Sequence, residues 1–203
     1  MKKKFIDNCY NFIVNYEDCD NLKTKKIRYG LETIYNLLTK LIVLTILTLW
    51  LNIFKDFILL VVCYSLARRY AYGLHAKTSI ACWITTLPIY LLGCYIIHYV
   101  SIPNYLVYSL WSFSFLSFLL WAPADTPQRP LIHENIRKKQ KIKACTICLI
   151  YLLLIGLQIS FVTSACIYSL LIQSICINPI TYKLTHTPFD NYKIYGKTHG
   201  LNY

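Results

Sequence analysis

The feature that most limits this chain is a set of uninterrupted apolar runs that cover most of its 203 residues. Four of them, 37–54, 82–100, 105–122 and 144–161, approach the roughly 17–25 residues a helix needs to cross a bilayer. Two more, 57–67 and 165–180, are shorter. They read either as spans completed by snorkelling flanks or as helices set partly in protein. With 56% hydrophobic and 15% charged residues, the composition excludes an ordinary soluble domain. The polar ends are too short for a second core, so the expectation is one all-α integral membrane protein.

Charge placement sets the expected topology. Lysine and arginine cluster before the first run (Lys2, Lys3, Lys4, Lys23, Lys25, Lys26, Arg28), after the second (Arg68, Arg69, Lys77), between the fourth and fifth (Arg129, Arg137, Lys138, Lys139, Lys141, Lys143) and in the tail (Lys183, Lys193, Lys197). The intervening connections, near 101–104 and 163–164, carry no charge, and the one near Lys55 and Asp56 carries a balanced pair. Positive charge on alternate loops predicts about six transmembrane helices with both termini cytoplasmic. Residues 1–30 then form a cytoplasmic N-terminal segment, 31–182 the polytopic membrane domain and 183–203 a cytoplasmic tail.

The first segment lacks the apolar core of a signal peptide. Phe5, Cys9, Phe12, Ile13 and Tyr16 recur at helical spacing behind three lysines, the pattern of an amphipathic helix lying on an anionic membrane face or packed on protein. The net charge of +12 is divided among loops that abut apolar runs, where it orients the chain and meets lipid. No nucleic-acid-binding module accompanies it, so nucleic acid is not an expected partner.

The nine cysteines are odd in number and lie mostly inside apolar runs, unlike a disulfide scaffold. Most read as small packing residues. Cys145 and Cys148, one helical turn apart and without histidine or carboxylate nearby, resemble neither a redox loop nor a zinc site. No metal or cofactor is expected.

Cys82 is different because His75 stands seven residues before it, in "GLHAKTSIAC". On one continuous helix the two would be about 10.5 Å apart along the axis, too far for proton transfer. The sequence offers a break: Gly73 permits unusual backbone angles, and Thr78 or Ser79 suits the N-cap of the helix that follows. Cys82 would then sit in a first helical turn, where the helix dipole favours a thiolate and burial opposes it. From these residues alone a catalytic pair and a capped helix start with a packing cysteine both remain open. His98 is placed at the far end of the third run; His133, His186 and His199 fall in loops or tail.

Read with its neighbours, the stretch gains meaning. "RRYAYGLHAKTSIAC" from Arg68 to Cys82, "RYGLE" from Arg28 to Glu32, and "APADTPQRPL" from Ala122 to Leu131 together resemble the accessory gene regulator B family of membrane cysteine peptidases. The likeness runs in order over nearly the whole chain. It implies that His75 and Cys82 are the catalytic pair, that Glu32 is a candidate to orient the imidazole or else a plain helix-start carboxylate, and that the protein is a homodimer in the cell membrane with its active site facing the cytoplasm.

The resemblance also implies a substrate: a quorum-sensing precursor peptide with an amphipathic leader, a ring-forming segment and an acidic C-terminal tail. Cys82 would attack the carbonyl at the end of the ring segment, forming a thioester acyl-enzyme, and the precursor's own cysteine or serine would close a thiolactone or lactone. Arg68 and Arg69 at the end of the second run, and Arg137, Lys138 and Lys139 in a basic loop 129–143, are candidates for drawing in the acidic tail; their other role is topological anchoring. Asp125 is expected to cap or hydrogen-bond a loop beside the site. The competing reading is a non-enzymatic membrane carrier or assembly subunit in which His75 and Cys82 are structural.

Overall fold

The computed structural model describes residues 2–14, 21–76, 78–127 and 130–198; Cys19, Lys77, Arg129 and His199 lie outside them. Regular structure among these residues is helical: α1 (Lys2–Val14), α2 (Asn21–Trp50), α3 (Phe54–Ala71), α4 (Ser79–Tyr99), α5 (Asn104–Trp121), α6 (Glu134–Gly156), α7 (Ser160–Ile177), α8 (Pro179–Leu184) and α9 (Asn191–Thr198). They fall into two compact units, Met1–Asn52 and Ile53–Tyr203.

In the first unit α1 runs antiparallel along the start of α2. Phe5 meets Tyr35 with ring centroids 5.4 Å apart. Arg28 lies 3.3 Å from Asp7 and stacks over the Tyr10 ring at 4.7 Å, and the Tyr10 and Thr24 hydroxyls are 3.1 Å apart. Ile6, outside the expected periodic face, is the buried residue of α1, while Phe5 and Phe12 of that face are exposed; Tyr16 lies outside the described residues.

The second unit is built around α7, which packs against α3, α4, α5 and α6. Its buried face is rich in small and hydroxylated residues, Ser164, Ala165, Cys166, Ser169 and Ser174, which let neighbouring backbones approach closely. At Gly93 of α4 the approach is tightest: a Cβ there would lie 2.5 Å from Tyr168 Cε1 and 2.6 Å from Leu60 Cδ2. Side chains stitch helix to helix through main-chain carbonyls. Tyr151 Oη donates to the Cys63 carbonyl (2.5 Å), Trp111 Nε1 to that of Cys148 (2.9 Å) and Tyr168 Oη to that of Ile89 (2.7 Å). Each consumes a polar group that apolar surroundings leave few other ways to satisfy. Trp111, in the middle of α5, also stacks on Phe115.

Among the described residues, three stretches are long and apolar enough to cross a membrane by length and composition: Ile27–Trp50, Ser79–Tyr99 and Ser160–Ile177. The other expected runs also form helices, with shifted ends. Asn52, at φ 57, follows the end of α2 at Trp50, so the first run stops short of Phe54, and Phe54, Lys55 and Asp56 open α3. Gln158, at φ 55, makes the turn between α6 and α7. Thr163 and Ser164, read from the sequence as a connection, therefore lie inside α7 and are buried. The largest correction concerns the basic loop: from Glu134 onward it is the opening of α6, with Glu134 in the first turn where a carboxylate favours the helix. Cys63, Cys94, Cys148 and Cys166 are buried free thiols, filling space as small apolar side chains do.

Candidate functional site

The helix carrying Cys82 is not continuous with the one before it. α3 stops at Ala71, Tyr72 turns the chain at φ 58 and ψ −130, and Gly73 follows at φ 105. Gly73 is needed twice over there. The backbone lies in the left-handed region, and a Cβ would meet the Cys176 carbonyl oxygen at 2.7 Å and Arg68 Nη1 at 2.8 Å.

The main chain at 72–74 is fastened on every side. Gly73 N–H donates to the Ala124 carbonyl (2.7 Å) and Leu74 N–H to that of Cys176 (2.9 Å). Fully buried Gln173 on α7 donates from Nε2 to the Tyr72 carbonyl at 2.6 Å. Arg68 Nη2 donates to the carbonyls of Gly73, at 3.0 Å, and Leu74. Arg68 Nη1 is buried and has no hydrogen-bond partner among the described residues. His75 is exposed on the irregular stretch that follows this anchored turn.

Of the two expected caps, Thr78 is the one used. It is extended, at φ −125 and ψ 154, and its hydroxyl accepts from Ala81 N–H at 3.1 Å. Cys82 is the fourth residue of α4 and half-buried. Its N–H donates to the Thr78 carbonyl at 3.0 Å. Its Sγ lies 4.0 Å from Thr86 Oγ1, which in turn donates to the Cys82 carbonyl at 2.5 Å. The objection that a continuous helix would hold His75 about 10.5 Å up the axis from Cys82 does not arise, since the two residues lie on different sides of a helix start.

The other candidates are spread more widely. Glu32 belongs to the first unit, on α2, with its Oε1 3.7 Å from Lys2 Nζ. Arg69 is exposed, and its guanidinium and the Lys143 ammonium lie 6.0 and 5.6 Å from the centre of the Tyr70 ring. On α6, Arg137 stacks 3.5 Å over the Tyr192 ring, Lys138 pairs with Glu134 at 2.7 Å, and Lys139 is exposed.

Two supports of the site were not found by reading the sequence. Gln173 left a signal, being an amide inside an apolar run. The reach of Asp125 left none. Its carboxylate, 3% exposed, accepts from Leu131 N–H (3.2 Å) within its own loop, as expected, and also from Asn191 N–H (2.9 Å) and Tyr192 N–H (2.8 Å) in the tail. Burial pushes the Asp125 carboxyl up from its ordinary value, against the pull of these N–H groups and of Asn191.

Comparison with known proteins decides what kind of chain this is. The family model for accessory gene regulator B matches residues 6–177. The chain belongs to the accessory gene regulator B family. Among its relatives are an AgrB-like protein of Clostridium acetobutylicum, 30% identical over 88% of this chain and 86% of that one, and an AgrB-like protein of Listeria innocua, 35% identical over 84% of each. The accessory gene regulator protein B of Staphylococcus saprophyticus is 29% identical over 73% of this chain and 78% of its own length. No solved structure matches. Membership and the three apolar helices make this a membrane protein. The match encloses every candidate residue from Glu32 to Lys139 and ends before α8 and α9.

Proposed function

We propose that this chain is a cysteine endopeptidase of accessory gene regulator quorum sensing, which removes the acidic C-terminal tail of a precursor peptide and leaves the remainder to cyclise. The observation that carries the reading is the break between α3 and α4. Cys82 stands in the opening of a capped helix and His75 just after a separately anchored turn, within a chain of this family.

In this mechanism the Cys82 thiolate attacks the carbonyl at the end of the ring segment, and His75 protonates the departing amine. The products are the free tail and a thioester on Cys82. The precursor's own cysteine or serine then attacks that thioester, forming the lactone or thiolactone and returning the Cys82 thiolate. A half-buried sulfur beside apolar helices limits access of water, which would otherwise hydrolyse the acyl-enzyme.

Arg68 and Arg69, with Arg137, Lys138 and Lys139 on α6, are assigned to the acidic tail. Arg68 spends its Nη2 on the Gly73 and Leu74 carbonyls, so it also holds the turn. Glu32 is assigned an orienting role, which Glu32→Gln tests separately from the pair. The proposal extends to six membrane crossings with cytoplasmic termini, an N-terminal segment, membrane domain and tail bounded as 1–30, 31–182 and 183–203, a cytoplasm-facing site and a homodimer.

The test is tail release in lipid vesicles, followed by mass spectrometry, with the precursor encoded beside this chain. Wild type is expected to release the tail, and Cys82→Ala and His75→Ala to fall by roughly 10²-fold or more. Equal release by all three would refute the peptidase and favour a carrier.

A further inference from the structure

The tail beyond the family match is tied to the loop that holds the turn before His75, through the Asp125 carboxylate and through the main-chain carbonyls of Ala124 and Asp125, the former 3.4 Å from Tyr182 Oη. Residue 124 pairs with residue 72 in an isolated parallel bridge. Ala124 N–H donates to the Ala71 carbonyl at 3.0 Å, and Gly73 N–H returns a bond to the Ala124 carbonyl at 2.7 Å. The next residue is Asp125. Its side chain takes the first two N–H groups of α9, from Asn191 and Tyr192, together with that of Leu131. Its carbonyl accepts from Tyr182 Oη at 3.0 Å and Asn191 Nδ2 at 3.3 Å, and Asn191 Nδ2 also donates to the Pro188 carbonyl at 2.8 Å. Tyr182 is fully buried and Asn191 5% exposed.

We propose that Asp125 is a positioning residue for the turn before His75, and that the tail from Tyr182 to Tyr192 is a working part of the site's scaffold. The chemistry requires a carboxylate. Three N–H groups converge on two oxygens that only accept; an asparagine of the same shape would present an NH₂ to at least one of them. The opening of α9 adds its dipole to the same anion. Through Ala124 this arrangement holds residue 73, two positions before His75, and on the tail side Tyr192 lies beneath Arg137 of α6. The inference rests on the reading of His75 as the proton donor of the site.

The experiment compares wild type, Asp125→Asn, Asn191→Ala and His75→Ala in vesicles. It measures hydrogen exchange at the Gly73 and Leu74 amides, kcat and KM for the precursor, and the pH profile of Cys82 alkylation by iodoacetamide. In Asp125→Asn, exchange at both amides is expected to rise about tenfold or more. kcat is expected to fall by a similar factor with KM nearly unchanged, and the alkylation profile to move toward that of His75→Ala. Asn191→Ala, which keeps the carboxylate, should shift all three in the same direction by less, and it guards against a misfolded Asp125→Asn. Unchanged exchange at Gly73 and Leu74 in both variants would overturn the proposal, as would faster exchange with wild-type kcat. Full turnover by His75→Ala would instead refute the proposed function, and the exchange data would still decide whether Asp125 holds the turn.

Discussion

At Gly73 the backbone turns with φ 105, and a Cβ would press on the Cys176 carbonyl at 2.7 Å. Neither the angle nor the carbonyl yields easily, because the same residue is held by Ala124 and Arg68. Gly73→Ala is expected to cost about 1–2 kcal/mol in backbone strain alone and to lower precursor turnover about tenfold or more, read as kcat/KM in vesicles. Thr78→Val removes the side chain that accepts from Ala81 N–H and leaves the β-branched shape. It should destabilise the start of α4 by about 1 kcal/mol and slow alkylation of Cys82, while Thr78→Ser restores both. Wild-type alkylation in Thr78→Val would show that the cap does not set the sulfur's reactivity. This part of the site was readable from residue types: glycine for the turn, threonine for the cap, cysteine for the helix start. Asp125 was readable only as a loop residue, because its tail partners are main-chain N–H groups 66 and 67 positions away, and any residue but proline supplies one.

Among the elements, apolar periodicity identified where helices lie and misjudged where they end. The ends are set by single residues entering the left-handed region, Asn52 and Gln158, which composition does not mark. Thr163 and Ser164 looked like a polar connection, yet α7 uses such residues to let neighbouring helices approach. The basic stretch after His133 looked like a loop because of its charge, yet lysine, arginine, glutamate and glutamine are good helix formers. The tight contact of α4 with α3 and α7 gives a stability prediction. Gly93→Leu places atoms where Tyr168 and Leu60 already stand. It should lower stability by about 1–3 kcal/mol, seen as a fall in the melting temperature of the detergent-solubilised protein, whereas Ile84→Leu, on an exposed face of the same helix, should leave it unchanged.

For the molecule as a whole, the proposed peptidase chemistry depends on the interruption between α3 and α4. α7 supports that interruption from behind through Gln173 and Cys176, and the 122–126 loop from the side. The measurement that tests this most directly is intact-protein and peptide mass spectrometry of the chain after incubation with a precursor whose ring-closing cysteine or serine is replaced by alanine. Without that nucleophile the second step cannot proceed, so the proposed thioester mechanism predicts an adduct of the leader-plus-ring fragment on the peptide containing Cys82, labile to hydroxylamine and absent from Cys82→Ala. Tail release with no adduct at Cys82, or an adduct on another cysteine, would contradict it.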